Sequence, residues 1–162
     1  MEMIYELRIL LHVVIAAILG GVIGYEREKT NKPAGIKTNM IVGGSVALLV
    51  SMGEAITIHF QEMGLTEVIE TDPTRIIQAI IVGVSFIGAG TVMQVQKVYK
   101  VKYLTTAASI LYSTGLGISV ALDHYVLAIG LTVFILIIYY PVKWVEDKFI
   151  KSSEKEGEGE EE

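Results

Sequence analysis

The chain has 162 residues, of which 52% are hydrophobic, and its mean hydropathy is +0.54. Four or five membrane spans of about twenty residues would use most of this length, so little is left for a soluble catalytic domain. The absence of cysteine excludes disulfides, cysteine nucleophiles and cysteine metal sites.

The net charge of −5 belongs to the C-terminal end of the chain. Residues 152–162 hold six glutamates against Lys155, so the rest of the chain is neutral. A segment of serine, glycine and glutamate cannot bury a core. We therefore predict a transmembrane domain over residues 1–151 and a disordered acidic tail over residues 152–162. Nothing in the charge pattern indicates nucleic-acid binding.

The first apolar run, residues 7–25, is predicted to be a retained membrane span, because its start lacks the basic region of a secretory signal. Gly20 and Gly24 are four residues apart, so a neighbouring helix can approach closely. Glu26 and Arg27 end the span. Two interpretations of this pair stay open. It is either a solvated interfacial pair, or a polar contact that fixes the first span against the start of the second or meets a partner.

The second predicted span covers residues 36–58. Asn39, Gly43, Ser51 and Glu54 fall on one helical face. Glu54 is the only acid inside an apolar run. It lies roughly 25 Å along the helix from its first turn, and therefore near the outer interface. At that depth Glu54 is either a hydrated side chain or a ligand for a cation.

The third predicted span begins at Asp72 and Pro73 and ends near residue 93. Asp72 is expected to cap the helix, with Pro73 at the first helical position and Arg75 paired to Asp72 at i, i+3. Together with Glu54, Asp72 is also a candidate ligand of an external cation such as Mg²⁺, since hard cations prefer carboxylate oxygens.

The third span is also two-faced. At about 100° per residue, its isoleucines fall on one arc, which we predict to face lipid. Its small and polar residues fall on the other arc, which we predict to pack against other helices. The second set is Gln78, Ala79, Gly83, Ser85, Phe86, Ala89 and Gly90.

The fourth predicted span covers residues 104–122 and the fifth covers residues 125–142. The fifth is apolar all round and is expected at the periphery. With five spans, 11 Lys and Arg residues lie on one side of the membrane and 2 on the other. The positive-inside rule then places the N-terminus outside and the C-terminus in the cytoplasm. The predicted fold is all-α, a polytopic membrane bundle of five transmembrane helices.

Three blocks of sequence resemble the MgtC/SapB family of membrane proteins. They are GGVIGYERE (20–28) with KPAGIKT (32–38), DPTRI (72–76) with GVSFIGAG (83–90), and LTTAAS (104–109). The chain departs from the family pattern at Asn39, where many relatives have histidine, and at Tyr103, where glycine is usual. The resemblance covers about residues 7–122 and marks these motif positions: Gly20, Gly24, Glu26, Arg27, Arg75, Gly83, Phe86, Gly88, Ala89, Gly90, Thr105 and Thr106.

The predicted topology brings the three blocks toward one another. Residues 88–90, 104–106 and 20–24 all fall in the cytoplasmic half of the bilayer if the spans alternate in direction. We therefore predict that the blocks form one cluster in the inner half of the bundle, and that function resides there rather than in the acidic outer loop.

No nucleophile–base pair, phosphate loop or cofactor motif is present in the sequence, so we expect neither an enzyme nor a cofactor. The resemblance implies a protein of the plasma (inner) membrane linked to magnesium homeostasis. One alternative is a regulatory protein that acts through helix contacts within the lipid bilayer, as a homo-oligomer or on another membrane protein such as the F-type ATP synthase. The other is a transporter or channel for Mg²⁺ or another cation. The residues favour the first, because the carboxylates cluster at the two surfaces.

Overall fold

The computed structural model describes residues 2–64, 72–93 and 103–145, and every regular element in these ranges is an α-helix. The helices are α1 (Glu2–Lys29), α2 (Ile36–Glu62), α3 (Pro73–Met93), α4 (Leu104–Ala121) and α5 (Tyr125–Val145). The first four are long and apolar enough to cross a membrane, and α5 is apolar over Tyr125–Tyr139. The predicted all-α bundle of five helices is confirmed. Its orientation stays a prediction, and the acidic tail lies outside the described residues.

Two of the helices end in the same type of turn, each with a non-glycine residue in the left-handed region. After α1, Asn31 has a φ of 54° and donates its N–H to the Glu28 carbonyl at 3.1 Å. After α4, Asp123 has a φ of 60° and donates its N–H to the Val120 carbonyl at 3.0 Å. In both turns the N–H of the following residue donates to the carbonyl one position earlier in the helix, Lys32 to Arg27 and His124 to Ser119. This second hydrogen bond completes a Schellman cap. Asn and Asp tolerate this conformation better than other side chains do.

Glycines bring α1, α2 and α4 into backbone contact. A Cβ atom built at Gly24 of α1 would lie 2.6 Å from the Gly35 carbonyl oxygen at the start of α2. A Cβ atom at Gly117 of α4 would lie 2.5 Å from the Gly43 carbonyl oxygen of α2. The predicted close approach of a second helix at Gly20 and Gly24 is therefore present, and α2 is the helix that makes it.

The fourth helix lies at the centre of the bundle and contacts each of the other four. In its apolar segment 56% of the residues are buried, against 11% in α3. Lipid tails are as apolar as leucine, so these side chains stabilise the bundle by close packing rather than by leaving water. The fifth helix lies at the periphery, as predicted, and most of its described side chains are exposed. The largest fully buried apolar side chains are Ile23, Ile110, Leu116 and Val120.

The third helix is two-faced, as predicted, but the predicted direction of its faces holds only in part. Ile81 and Ile87, on the arc predicted to meet lipid, are 40% and 53% exposed. Ile80 and Val84, on the arc predicted to meet lipid, are buried against the bundle. On the same side, a Cβ atom at Gly88 would lie 3.4 Å from the Ala107 Cβ of α4. The buried side of α3 thus combines branched side chains with Gly88, which meets the small side chain of Ala107. A periodic pattern identifies two faces, but in a membrane both the lipid and the protein interior are apolar.

The small and polar face of α3 is exposed instead of packed. Phe86 is 76% exposed, and a Cβ atom at Gly83 or Gly90 would meet nothing within 4 Å. Ala79 and Ala89 are exposed as well. Within one copy of the described bundle, no other helix covers this face.

Candidate functional site

A polar cluster joins α1, α2 and the α4–α5 turn at the end of the bundle predicted to be outside. We call it the outer cluster; its members are Arg8, His12, Ser51, Asp123 and Tyr125. His12 Nε2 lies 3.1 Å from Asp123 Oδ1, and His12 Nδ1 lies 3.2 Å from Ser51 Oγ. The Arg8 guanidinium donates to Asp123 Oδ2, and the Tyr125 hydroxyl donates to Oδ1 at 2.8 Å. The Asp123 carboxylate therefore interacts with three polar side chains from two helices.

The partners of His12 fix the position of its proton in the neutral ring. The Asp123 carboxylate only accepts, so Nε2 carries the proton and Nδ1 accepts from the Ser51 hydroxyl. Serine, histidine and aspartate are the residue types of a hydrolase triad, but His12 and Ser51 are only 1% and 2% exposed. A substrate cannot reach a hydroxyl buried in this way, so the geometry favours a tie between helices over a nucleophile.

We expect the outer cluster to make the fold sensitive to acid. Hydrogen bonds from Tyr125, then from Arg8 and His12, lower the pKa of the Asp123 carboxyl below its ordinary value of 3.8. A depressed pKa in the folded state means that the ionised carboxylate stabilises the fold above the unfolded-state pKa. This contribution is lost as the pH falls through the folded-state pKa. The melting temperature of the purified protein should therefore fall as the pH drops below 3.8, and Asp123→Asn should remove this part of the fall.

Asp72→Asn is the matched control for that measurement. Hydrogen bonds from Thr74 also lower the pKa of Asp72, but this carboxyl is an exposed helix cap outside the outer cluster. The variant should keep the part of the acid response that depends on Asp123. If Asp123→Asn and the wild type show the same pH profile, the outer cluster contributes no pH dependence.

A second polar cluster lies at the opposite end of the bundle, where α1 ends and α4 begins. We call it the inner cluster; its members are Arg27, Thr105, Thr106 and the carbonyl of Pro33. Arg27 is 3% exposed, and its Nη2 donates to Thr106 Oγ1 at 2.6 Å and to the Pro33 oxygen at 3.2 Å. Its Nη1 donates to Thr105 Oγ1 at 3.5 Å, and the Tyr139 side chain of α5 lies nearby. Arg27 therefore makes an interhelical polar contact rather than standing in solvent.

Asn39 ties the α1–α2 turn and α4 to α2 in the interior. The amide is fully buried, and its Nδ2 donates to the Ala34 oxygen at 2.6 Å and to the Gly35 oxygen at 3.0 Å. Its Oδ1 accepts from the Ser113 hydroxyl at 2.8 Å. Both N–H groups of the amide and its oxygen are thus satisfied inside the bundle.

The two predicted cation ligands lie in different settings. Glu54 is exposed and lines a cavity of about 350 Å³ together with Asp123. Asp72 caps α3 as predicted: its Oδ1 accepts the Thr74 N–H at 2.9 Å, and Arg75 Nε lies 3.8 Å from Oδ2. Across the residues that the structure describes, no group of three or more His, Cys, Asp or Glu side chains could hold a metal ion. A cation site at Glu54 and Asp72 stays a prediction.

The three blocks of family-like sequence meet in part. The first and third blocks are joined through the inner cluster. The second block reaches them through Gly88, which contacts Ala107 of α4. Phe86, Ala89 and Gly90 lie on the exposed side of α3 and do not take part. Glu26 is half-buried at the end of α1.

Reasoning from the sequence missed the outer cluster. Five alternating spans place Arg8 and the turn that contains Asp123 at the same end of the bundle, and this was the available signal. A charged residue beside an apolar run is expected to pair with a specific group. Here Arg8 and Asp123 pair with each other. Nothing in the spacing of the sequence predicts that His12 is buried between them.

The comparisons with known proteins agree with one another. The model of the MgtC family matches residues 13–148. The chain is 37% identical to Protein SapB of Bacillus subtilis over 140 residues, which are 86% of this chain and 59% of that protein. It is 32% identical to Protein MgtC of Salmonella typhimurium LT2 over 129 residues, 78% of this chain and 49% of that protein.

A further relative carries a name that refers to magnesium. The chain is 31% identical over 134 residues to the Escherichia coli K12 protein named "Putative magnesium transporter YhiD", which is 80% of this chain and 58% of that protein. The chain thus spans about half the length of the curated relatives it matches. No solved structure matches it.

Proposed function

Because this chain belongs to the MgtC family, we propose that it is a regulatory protein of the plasma membrane, linked to magnesium homeostasis, that acts through contacts of its transmembrane helices. It is a multi-pass membrane protein with an all-α bundle. The proposal assigns it no catalytic reaction and no cofactor. The observation that carries the proposal is the exposed small-residue face of α3.

The exposed face of α3 has the geometry of a helix–helix contact surface. Ala79, Gly83, Phe86 and Gly90 follow one another at i, i+4, i+7 and i+11, so they form one stripe along the helix. We call these four residues the α3 stripe. Small residues allow two helices to approach closely in lipid, where packing and hydrogen bonds are the forces that hold helices together. An apolar groove of about 800 Å³ between α2 and α3 runs beside Ala79 and Gly83.

We propose that a second copy of the chain covers the α3 stripe. The absence of cysteine makes the chain a ready background for cross-linking. Ala79→Cys and Gly83→Cys should each give a disulfide-linked dimer in membranes treated with copper phenanthroline. Val133→Cys, on the exposed side of α5, is the matched control and should give none.

A second substitution tests whether the link reports a specific contact. Gly83→Leu should abolish cross-linking through Ala79→Cys, because a leucine keeps the partner helix away while its Cβ atom meets nothing within 4 Å in its own copy. Cross-linking that is as strong at Val133 as at Ala79 would mean random collision. If no position on the α3 stripe cross-links, self-association is wrong, and another membrane protein, such as the F-type ATP synthase that the family resemblance implies, becomes the occupant to test.

The alternative function is transport of Mg²⁺ or another cation, and the name of the Escherichia coli relative supports it. The described interior gives it less support. Among the described residues no carboxylate is buried in the bundle. The buried hydroxyls of Ser109 and Thr114 donate to carbonyls of their own helix, at 2.8 and 3.1 Å, as structural hydroxyls do. Mg²⁺ gives up its water reluctantly and would need oxygen ligands along the crossing.

Reconstitution separates the two functions. Purified protein in liposomes should move no more Mg²⁺ down a gradient than protein-free liposomes do, as measured by a trapped fluorescent indicator. Glu54→Gln is the informative variant, since Glu54 lines the cavity on the predicted outer side. Mg²⁺ uptake by the wild type that Glu54→Gln reduces would overturn the regulatory proposal in favour of transport.

A further inference from the structure

Arg27 is a buried cation without a counter-ion in the part of the chain that the structure describes. Its hydrogen bonds go to the neutral oxygens of Thr105, Thr106 and Pro33, and its Nε atom has no hydrogen-bond partner. None of the ion pairs formed by described residues includes it. Desolvation of a guanidinium is costly unless an opposite charge is close. A guanidinium whose charge is not balanced within the described chain therefore attracts an anionic group.

The start of α4 adds a second positive feature beside Arg27. The first N–H groups of any helix lack intrahelical partners, and the helix dipole favours negative charge there. At the start of α2, the Glu28 carboxylate accepts the first N–H at 3.1 Å, and at the start of α3, Asp72 accepts an N–H at 2.9 Å. At the start of α4, Tyr103 gives no side-chain cap, and the cation Arg27 donates to Thr106 of the first turn.

These features together define the chemistry of a ligand. The guanidinium and the start of α4 both attract negative charge, and the Thr105 hydroxyl can donate to an anion while it accepts from Arg27. Thr106 is 1% exposed and holds the guanidinium from the interior. Thr105 is exposed, so the cluster opens on that side. A guanidinium charge, an exposed hydroxyl and the start of a helix lie together here, and together they suit a tetrahedral oxyanion with several acceptor oxygens.

We infer that the inner cluster binds a phosphate group, supplied by an anionic phospholipid headgroup or by inorganic phosphate. The predicted orientation places the cluster at the cytoplasmic interface of the membrane, which is the depth of phospholipid headgroups. The site is built by α1 and α4 and lies apart from the α3 stripe. Its test is therefore independent of the proposed function.

Lipid binding to the full-length protein tests this site. The protein is purified in detergent, and dioleoyl phosphatidylglycerol is compared with dioleoylglycerol, which has the same chains and no phosphate. The phosphatidylglycerol should raise the unfolding temperature, followed by circular dichroism, and should remain bound in native mass spectrometry. Arg27→Gln should raise the Kd for phosphatidylglycerol roughly tenfold, the ratio that corresponds to one charge-assisted interaction of about 1.4 kcal/mol. Arg75→Gln, at an exposed arginine of the opposite end, should leave binding unchanged.

A third arm separates the two sources of phosphate. Sodium phosphate is compared with sodium chloride at equal ionic strength and without added lipid. Stabilisation by phosphate alone means that the free anion is sufficient, and stabilisation only by phosphatidylglycerol means that the lipid is the ligand. Either result supports the site if Arg27→Gln removes it. The inference is overturned if neither compound stabilises the wild type, or if Arg27→Gln responds as the wild type does.

A milder variant keeps the test valid if Arg27→Gln does not fold. Thr105 is exposed and accepts only the long 3.5 Å contact from Arg27, so Thr105→Val should leave the bundle intact. It should still weaken the retention of phosphatidylglycerol. Unchanged retention by a folded Thr105→Val protein would contradict the inference.

Discussion

Gly24→Ala should destabilise the bundle more than its single added methyl group suggests. A Cβ atom at Gly24 would lie 2.6 Å from the Gly35 carbonyl oxygen and 2.6 Å from the Ile36 Cα. Both contacts are with backbone atoms, which cannot rotate out of the way as a side chain can. The start of α2 would have to move away from α1. Overpacking of a tight contact costs about 1–3 kcal/mol, and we expect the upper part of that range in unfolding measured in mixed detergent micelles.

Gly130→Ala is the matched control for this prediction. Gly130 lies on the exposed side of α5, and a Cβ atom there would meet nothing within 4 Å. The same substitution should therefore be neutral or slightly stabilising, since alanine is favoured over glycine within a helix by roughly 1 kcal/mol. If the two variants lose equal stability, the close approach of α1 and α2 is not the reason for glycine at position 24.

The sequence was sufficient to locate the helices. Long apolar runs predicted the spans at 7–25, 36–58, 104–122 and 125–142, and the helices cover each of them almost completely. The start of α3 followed from Asp72 and Pro73, whose capping geometry is local and needs no tertiary contact. The four-residue spacing of Gly20 and Gly24 also predicted a close contact correctly, because nothing but glycine allows two backbones to meet there.

The direction of a helix face could not be obtained in the same way. The isoleucine side of α3 was assigned to lipid and its small residues to the protein. Ile81 and Ile87 are exposed, but Ile80 and Val84 are buried instead. In water, the apolar face of a helix must turn inward. In a bilayer both directions are apolar, so the choice depends on the shape of the neighbouring helix, here the small residues of α4 around Ala107.

The polar clusters depend on geometry that the sequence does not contain. The predicted spans at 104–122 and 125–142 leave Asp123 in the short connection between them. Its bonds to His12 and Arg8 need the left-handed backbone of that connection and the position of α1. For Arg27, the sequence left two interpretations open. The structure shows Arg27 buried against α4, because α1 ends at the depth where α4 begins.

Asn39→Leu should destabilise the bundle although it replaces a polar side chain by an apolar one inside a membrane protein. The Asn39 amide satisfies the carbonyls of Ala34 and Gly35 and receives the Ser113 hydroxyl. Without it, the Ala34 carbonyl and the buried Ser113 hydroxyl lose their partner, whereas the Gly35 carbonyl keeps the backbone N–H of residue 39. A buried polar group left unsatisfied costs about 1–3 kcal/mol. Ser45→Leu, an exchange at an exposed position of the same helix, is the matched control and should be nearly neutral in the same unfolding assay.

Asn39→Asp separates hydrogen bonding from packing at this position. Aspartate has the size of asparagine, and it can still accept from Ser113, but it would place a carboxylate oxygen against the carbonyls of Ala34 and Gly35. If hydrogen bonds decide stability here, Asn39→Asp should be at least as destabilising at neutral pH as Asn39→Leu, and it should recover partly when the added carboxyl is protonated. If shape decides, Asn39→Asp should be the milder change. The Pro33 carbonyl accepts from Arg27, and the next carbonyl, that of Ala34, accepts from Asn39. If the Asn39 amide holds this turn by hydrogen bonding, its loss should also weaken phosphate retention at the inner cluster.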